Sequence, residues 1–272
     1  MTTHASKMIR FLADLRWQDL SPEVIHQTKR VVLDYFAAVI AGSQTPEAKR
    51  ALAGAETIFA GDHAPCIGFD RKLNAMGAAL VNGIAGHALE VDDGNRFAMG
   101  HPGVTVMPAA LGYSQWKQVD GQKFLLSVLC GFEVFARVGR AVSPNHFDKG
   151  FHPTGTCGTF AASVAVAKQM GQDTETLGNT LGLAGSLASG LFEFLSNGSN
   201  AKLLNAGHAA QSGIQAALLA TAGFTGPPTI FEGPRGFFQA VTETISVDSL
   251  SKDLGSHYHV MDTYVKMHAC CR

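Results

Sequence analysis

The sequence predicts a mainly α-helical protein, and three observations support this prediction. Apolar residues recur with the period of an α-helix, most clearly at Leu125, Val128, Leu129 and Phe132. Hydrophobic residues make up 46% of the chain and charged residues 16%, with 30 glycines, a balance typical of closely packed helices. Strand patterns are weak and appear near Ile67 and over residues 258–265.

Two amphipathic helices are predicted in the first quarter of the chain. Residues 21–23 (Ser-Pro-Glu) form a helix start, since a capping side chain and a first-turn proline precede an acid near the positive end of the helix dipole. Apolar residues then fall mostly on one face as far as Gly42, which ends the run. A second helix is predicted over 46–59, followed by a loop over 62–69.

Six further helices are predicted along the rest of the chain. Residues 74–89 are almost all small or apolar, which indicates a buried helix with close neighbours. The other five are predicted over residues 108–116, 121–142, 154–169, 175–191 and 206–223. No repeat of fixed period and no Ser/Pro-rich linker divides the sequence. We therefore predict one helical main domain over residues 1–245 and an irregular segment over 246–272.

Composition and charge exclude several kinds of partner. The net charge of −1 provides no basic field for nucleic acid. No run of 18 uncharged apolar residues indicates a membrane span, and the N-terminus lacks the apolar core of a signal peptide. The five cysteines form no C-x-x-C pair, and their odd number is typical of reduced thiols. We expect a soluble, cytoplasmic protein with neither nucleic acid nor membrane as a partner.

The most informative polar stretch is residues 87–103, HALEVDDGNRFAMGHPG. His87 and Glu90 lie three residues apart at the end of the predicted buried helix, and Asp93 and His101 follow in a Gly-rich loop. Charges that leave water cost several kcal/mol unless they are paired, so a cluster of this kind is typical of a functional site. The alternative is that Asp92 and Asp93 cap the next helix and His101 is exposed in a turn.

A second candidate is residues 151–160, FHPTGTCGTF, at the start of a predicted helix. Unpaired N–H groups at a helix N-terminus can bind an anion, and Thr154 and Thr156 add hydroxyls there. His152 beside them could exchange a proton with a bound carboxylic acid. An ordinary threonine cap with a surface histidine is the alternative, and for this motif alone it is favoured roughly two to one.

Two lysines are candidate carboxylate anchors, although each is also compatible with a solvated loop. Lys202 is the only basic residue between Lys168 and Arg235, and Lys266 precedes His268, Cys270 and Cys271 near the C-terminus. Two adjacent thiols cannot fill a tetrahedral metal site alone. No H-E-x-x-H motif, P-loop, G-x-S-x-G elbow or dinucleotide fingerprint occurs. We predict no metal and no cofactor, while a metal hydrolase built on the acidic cluster remains an alternative.

Taken together, these segments resemble the MmgE/PrpD family, the group of 2-methylcitrate dehydratase and cis-aconitate decarboxylase. The resemblance extends from the first helix to the last residue. It is carried, in order, by VVLDYFAAVIAG (31–42), NAMGAALVNGIAGHALEVDDG (74–94), GHPG (100–103), FHPTGTCGTFAAS (151–163), AKLLNAGHAAQSGIQAALLATAGFTGP (201–227), IFEGPRGF (230–237) and KMHACCR (266–272).

The resemblance implies a helical-bundle main domain, a smaller α+β lid domain, a homodimer, and cofactor-independent chemistry on di- and tricarboxylates. We expect a hydro-lyase acting on a small polycarboxylate such as 2-methylcitrate. A cis-aconitate-type decarboxylase, a dicarboxylate epimerase and a catalytically silent helical dimerisation module are the alternatives. By resemblance, the catalytic residues are Glu90, Asp93, His101 and His152. The substrate-binding residues are Lys202, Lys266, Thr154 and Thr156.

Two departures from the family pattern accompany this assignment. Glu90 stands where the family usually has Asp, and Gly94 where it often has Thr, so the acid is longer by about one methylene and a hydroxyl is missing. Family members also continue past the KMHACCR-like segment into the lid domain. We therefore expect the lid domain to be absent or truncated in this chain.

Overall fold

The fold is mainly helical, as the sequence predicts. A computed structural model of the chain describes residues 3–270. The helices are α1 (His4–Asp14), α2 (Pro22–Gly42), α3 (Pro46–Glu56), α4 (Ala75–His87), α5 (Gly103–Lys117), α6 (Gly121–Val142), α7 (Asn145–Asp148), α8 (Pro153–Met170), α9 (Thr174–Leu187), α10 (Ala201–Thr221) and α11 (Phe237–Val241). Four 3-10 turns occur at Trp17–Asp19, Phe192–Ser196, Val247–Leu250 and His259–Asp262.

Two short antiparallel ribbons are the strand structure within residues 3–270. β1 (Ala64–Pro65) pairs with β2 (Lys72–Leu73), and β3 (Gly94–Asn95) pairs with β4 (Thr263–Tyr264). The second ribbon matters more for function, because it joins the polar loop after α4 to the segment before Lys266. Gly94 lies opposite Tyr264 in its register.

The core is built around α8, which packs against α6 and α10, while α10 also packs against α4. Small residues allow these approaches. A Cβ on Gly83 would lie 2.7 Å from the Cα of Gly207, and one on Gly213 would lie 2.5 Å from the Cβ of Ala162. The glycines of the buried helices therefore set the helix separations. As a result, the start of α8, the start of α10 and the end of α4 meet in one place.

Several helix boundaries differ from the sequence-based prediction. Helix α1 was not predicted, although its Met8, Ile9 and Leu12 are buried. Helix α5 begins at Gly103 rather than at Pro108, because burial of residues 103–107 outweighs the preference of proline for a first turn.

Helices α9 and α10 were also bounded wrongly. Helix α9 ends at Leu187 rather than at residue 191, because the backbone becomes extended at Ala188. The carbonyl of Gly190 then accepts a hydrogen bond from His152 N at 3.0 Å. Helix α10 begins at Ala201 rather than at Ala206, so Lys202 lies in its first turn and not in a preceding loop.

After α11 the chain follows 3-10 turns and β4, and the turns at Val247–Leu250 and His259–Asp262 pack on α6. The division of the chain at residue 245 stays a prediction. Cys271 and Arg272 of the KMHACCR segment lie outside the described residues. None of the helices within residues 3–270 has both the length and the apolar character needed to cross a bilayer.

Candidate active site

The polar loop after α4 is buried. Helix α4 ends at His87, and the following residues fold back over its C-terminal end until α5 begins at Gly103. His87, Asp92, Asp93 and His101 are all nearly inaccessible to solvent. His101 is therefore buried and not exposed in a turn, while the role of this cluster as a functional site stays a prediction.

Asp93 fixes the position of His101. Its carboxylate oxygen Oδ1 accepts a hydrogen bond from Gly103 N at 2.9 Å, and its carbonyl lies 2.7 Å from His101 Nδ1. A Cβ on Gly103 would approach that carboxylate to 2.7 Å, so only glycine allows this contact at the start of α5. Burial, reinforced by the neighbouring Asp92 and Asp34 carboxylates, raises the pKa of Asp93 well above its usual value.

Asp92 lies between two imidazoles and a lysine. Its Oδ2 is 2.9 Å from His87 Nδ1 and 3.5 Å from His101 Nδ1, and its Oδ1 is 3.6 Å from Lys266 Nζ. Burial acts to raise the pKa of Asp92, but the two histidines and the lysine together hold that pKa below its usual value. Asp92 is thus the ionised acid of the cluster, and Asp93 is the acid that tends to keep its proton.

His152 reaches the same place from the start of α8, where it is the N-cap residue. Its Nδ1 lies 3.0 Å from Asn205 Nδ2, and its ring centroid lies 6.1 Å from that of His87. Burial lowers the pKa of His152 well below its usual value, and the neighbouring histidines and Lys202 lower it further. Burial likewise lowers the pKa of His101, to about 4. Both rings are therefore neutral at neutral pH.

The hydrogen-bond partners give these two neutral rings opposite tautomers. A carbonyl oxygen only accepts, so His101 must carry its proton on Nδ1, which leaves Nε2 as the basic nitrogen. With the Asn205 amide donating through Nδ2, His152 accepts on Nδ1 and carries its proton on Nε2. One imidazole can therefore take a proton and the other can donate one.

Glu90 connects both predicted lysine anchors. Its carboxylate forms an ion pair with Lys202 Nζ, and its carbonyl accepts hydrogen bonds of 3.1 Å from Lys266 Nζ and from Cys270 N. Its backbone is left-handed, with φ of 58°, a conformation that costs on the order of 1–3 kcal/mol for a residue other than glycine. Glu90 thus lies beside the cluster and holds two cations there.

The hydroxyls of Thr154 and Thr156 are buried and point into the protein. Thr154 Oγ1 accepts a hydrogen bond from His101 N at 3.2 Å, and Thr156 Oγ1 lies 2.8 Å from His146 Nε2. The amides of Gly155 and Thr156 already donate to the carbonyl of His152. These contacts favour a positioning role for both threonines, and their predicted contact with substrate stays a prediction.

A cavity of about 660 Å³ opens directly onto the histidines. This volume falls within the range of small-molecule sites. The cavity brings together His101 and His152, whereas the predicted lysines and threonines are not among its lining residues. Its lining residues are Asn95, Arg96, Met99, Gly100, His101, Phe147, His152, Phe192 and Tyr264.

Sequence reasoning missed several residues of this region. Asp34, half-buried on α2, faces Asp92 and Lys266, and burial followed by the Asp92 charge raises its pKa to about 6. An aspartate inside the apolar run VVLDYFAAVI was the available signal. No local pattern pointed to Asn205, Phe192 or Tyr264, because each reaches the site from a distant segment.

Unsatisfied polar atoms concentrate in this cluster. Among the described residues, His87 Nε2, Asp92 Oδ1, Asp93 Oδ2 and Asp34 Oδ2 are buried without a hydrogen-bond partner. Such atoms are costly in a folded protein and are typical of a site that receives a ligand. Within residues 3–270, the group of potential metal-ligand atoms that converge is His257, His259 and Asp262, which lies outside this cluster.

Comparison with known sequences gives a consistent result. A sequence model described as the MmgE/PrpD N-terminal domain matches residues 6–249. A "cis-aconitate decarboxylase-like protein oryM" from Aspergillus oryzae is 26% identical over 280 residues, covering 97% of this chain and 58% of the relative.

Two further relatives carry the name cis-aconitate decarboxylase. The one from Aspergillus terreus is 26% identical over 279 residues, covering 98% of this chain and 57% of the relative. The human one is 29% identical over 225 residues, covering 80% of this chain and 46% of the relative. The chain therefore spans about half the length of the curated relatives it matches.

Proposed function

The chain belongs to the MmgE/PrpD family, and from this premise we propose that it is a cofactor-independent lyase acting on a small di- or tricarboxylate. The observation that carries the proposal is the pair of buried, neutral imidazoles of opposite tautomer, His101 and His152, on one cavity. Acid–base catalysis needs a base and an acid within reach of one substrate, and general acid–base help contributes on the order of 10²–10⁴ in rate.

In a hydro-lyase reaction, His101 Nε2 removes a proton from the carbon next to a carboxylate. The electron pair forms the new carbon–carbon double bond, and the hydroxyl group leaves the adjacent carbon. His152 Nε2–H protonates that group, so that it leaves as water. The nearby Asp92 carboxylate stabilises the imidazolium that forms on His101, since the two groups are 3.5 Å apart.

Substrate carboxylates need cations while charge builds up on them. Arg96 lines the cavity, and Lys202 and Lys266 both contact Glu90. We propose that a substrate carboxylate replaces the Glu90 carboxylate at Lys202. Glu90 then acts by holding the lysine in place before substrate arrives. Asp93 orients His101, and Thr154 and Thr156 support the two histidines.

Decarboxylation is the second candidate, favoured by the names of the matched relatives. In that reaction a substrate carboxylate leaves as carbon dioxide, its bonding electrons move into the carbon framework, and an acid delivers one proton to carbon. The same cavity supplies both the acid and the cations. Epimerisation needs only the removal and return of a proton. The three reactions are therefore separated by their products rather than by the residues involved.

Proton NMR in D₂O tests the proposal directly. The purified chain is incubated at high concentration with 2-methylcitrate and, separately, with cis-aconitate. From the first acid we expect the methyl doublet of 2-methylcitrate to give way to the methyl singlet of the dehydrated acid, whose double bond carries no hydrogen. From the second we expect the vinyl signals of the decarboxylated diacid. In both cases deuterium should enter at the carbon that exchanges its proton. The absence of both turnover and deuterium exchange, with each of the two acids, would contradict a lyase. That result would favour a catalytically silent helical module.

We further propose a homodimer, as the family resemblance implies, located in the cytoplasm. The location is supported by Cys66, Cys130 and Cys157, which are buried free thiols and therefore fit a reducing compartment. Light scattering on the purified chain would give twice the chain mass for a dimer. Cell fractionation would contradict the location if the protein were recovered outside the cytosolic fraction.

A further inference from the structure

The cavity in front of the two histidines has two walls of unlike chemistry. One wall is polar and is formed by Asn95, Arg96, His101 and His152. The other wall is mainly apolar, with three aromatic rings and a thioether from Met99, Phe147, Phe192 and Tyr264. A small polycarboxylate has charged groups at its ends and requires only the first wall.

The apolar wall is a connected surface that begins at the catalytic ring. The Phe192 ring centroid lies 4.8 Å from that of His152 and 4.6 Å from that of Phe147. Phe194 supports it from the protein side, at 5.4 Å from Phe192. Phe147 and Phe192 are partly exposed where they face the cavity, while Phe194 is buried. A group attached to a carbon near His152 would therefore contact aromatic surface immediately.

A left-handed backbone and a close approach to a glycine bring the remaining members of this wall into place. Met99 adopts a left-handed backbone with φ of 53°, which is uncommon for a residue other than glycine. Tyr264 lies flat against Gly94, where a Cβ would approach the phenol ring to 2.4 Å, so any larger residue would displace the ring. The absence of a side chain at Gly94 thus allows the tyrosine to reach the cavity.

We propose that the substrate carries a hydrocarbon substituent longer than methyl, which lies against Phe147, Phe192, Met99 and Tyr264 while its carboxylates face the polar wall. The inference rests on the proposed function and specifies its substrate class. Carboxylates placed against the Phe147 and Phe192 rings and the Met99 thioether would lose hydration without gaining a partner, whereas an alkyl chain gains from leaving water. The volume of about 660 Å³ leaves room for such a chain.

Binding of unreactive diacids tests the substituent without requiring turnover. Calorimetry would measure the Kd of succinate, 2-methylsuccinate, 2-butylsuccinate and 2-hexylsuccinate for the full chain. We expect the Kd to fall roughly fourfold for each methylene that the wall covers, the factor that corresponds to burial of one methylene group. The gradient should level off once the chain extends beyond the wall.

Substitutions in the apolar wall test which side chains produce the gradient in Kd. Phe192→Ala should flatten it, and Phe147→Ala should reduce it, while Phe192→Leu should keep most of it because an apolar side chain remains. Phe224→Ala is the matched control, because Phe224 is 62% exposed and follows the far end of α10. This control should bind every diacid as the unmodified chain does, and thermal melting would verify that each variant is folded.

The outcomes separate this inference from the proposed function. The inference would be overturned by equal Kd values along the series or by tighter binding of succinate than of 2-hexylsuccinate. It would also be overturned if Phe192→Ala and Phe147→Ala were both folded and both kept the gradient in Kd. The absence of any diacid binding at millimolar concentration would also overturn it. A clear gradient together with no turnover of any tested acid would support the apolar wall and contradict the lyase.

Discussion

Two groups of charged side chains are buried in this protein, and they differ in how completely they are satisfied. On α6, Arg137 Nε donates to Glu133 Oε2 at 2.9 Å, and Arg137 Nη1 donates to the carbonyls of Ser249 and Lys252. Glu133 Oε1 accepts from His259 N. Among the described residues, Arg137 Nη2 is the buried atom of this group that lacks a partner.

The cluster after α4 is the opposite case. His87, Asp92, Asp93 and Asp34 each leave one buried atom without a partner, although they lie within reach of one another. Both groups bear the cost of burying charge, but only the α6 pair uses nearly all of its bonding capacity to join the fold together. Unused hydrogen-bonding capacity, rather than burial alone, therefore distinguishes the candidate site from a structural ion pair.

The largest expected effect concerns catalysis, at His101. His101→Asn preserves a donor for the Asp93 carbonyl but removes the basic nitrogen, so turnover should fall by about 10²–10⁴. The melting temperature should stay within a few degrees, because the side chain is not part of the apolar core. Steady-state kinetics and a melting curve measure the two quantities. His257→Asn, at a histidine that is 45% exposed, is the control. A variant within tenfold of the original rate would remove His101 from the mechanism.

The next effect concerns stability, at the α6 pair. Arg137→Met leaves the Glu133 carboxylate buried without its partner, which should lower the free energy of unfolding by about 3–5 kcal/mol. Denaturant titration measures this change. The matched control is Lys149→Met at the exposed Lys149–Glu243 pair, where a loss below about 1 kcal/mol is expected. Equal losses at both pairs would show that the α6 pair contributes little to stability.

The smallest effect concerns Asp34 and depends on pH. Its pKa in the folded protein is raised to about 6, above that of the unfolded chain, because burial opposes its charge. Such a group contributes stability that is present below the unfolded pKa and is lost as pH rises through the folded pKa. Asp34→Asn should therefore raise the melting temperature by about 2–4 °C at pH 8 relative to the original chain, and by less at pH 4.

Asp70→Asn, on the exposed loop between β1 and β2, is the control for this measurement and should give the same difference at both pH values. A gain for Asp34→Asn that does not depend on pH would indicate an effect of shape rather than of charge. A lower melting temperature for Asp34→Asn at pH 8 would show instead that Lys266 holds the Asp34 carboxylate ionised.

The sequence predicted those parts of the molecule that depend on local spacing. The periodic apolar residues of α6 are buried as expected, and the fold class and the family are confirmed. The cap of α2 is also as predicted, with Ser21 accepting a hydrogen bond from Val24 N. Helix boundaries failed where a tertiary contact decided them, as at the end of α9, where Gly190 bonds to His152.

The candidate site was predicted in part for the same reason. His87, Asp92, Asp93 and His101 are buried together, because they are close in sequence as well as in space. The ion pair between Glu90 and Lys202 could not be foreseen from composition or spacing, since 112 positions separate its members. Asn205, which sets the tautomer of His152, and Phe192, which covers it, come from segments that carry no chemical motif.

The contacts of Glu90 also have a consequence for the order of folding. Its carbonyl is bonded to Lys266, 176 positions further along the chain, whereas the helices of the core form from contacts three or four residues apart. Contacts that close such long loops form late, because their entropic cost is repaid only after the intervening elements have packed. The helices can therefore assemble during synthesis before the Glu90 carbonyl gains its hydrogen bond from Lys266. The contacts of Glu90 are completed only after residue 266 has emerged.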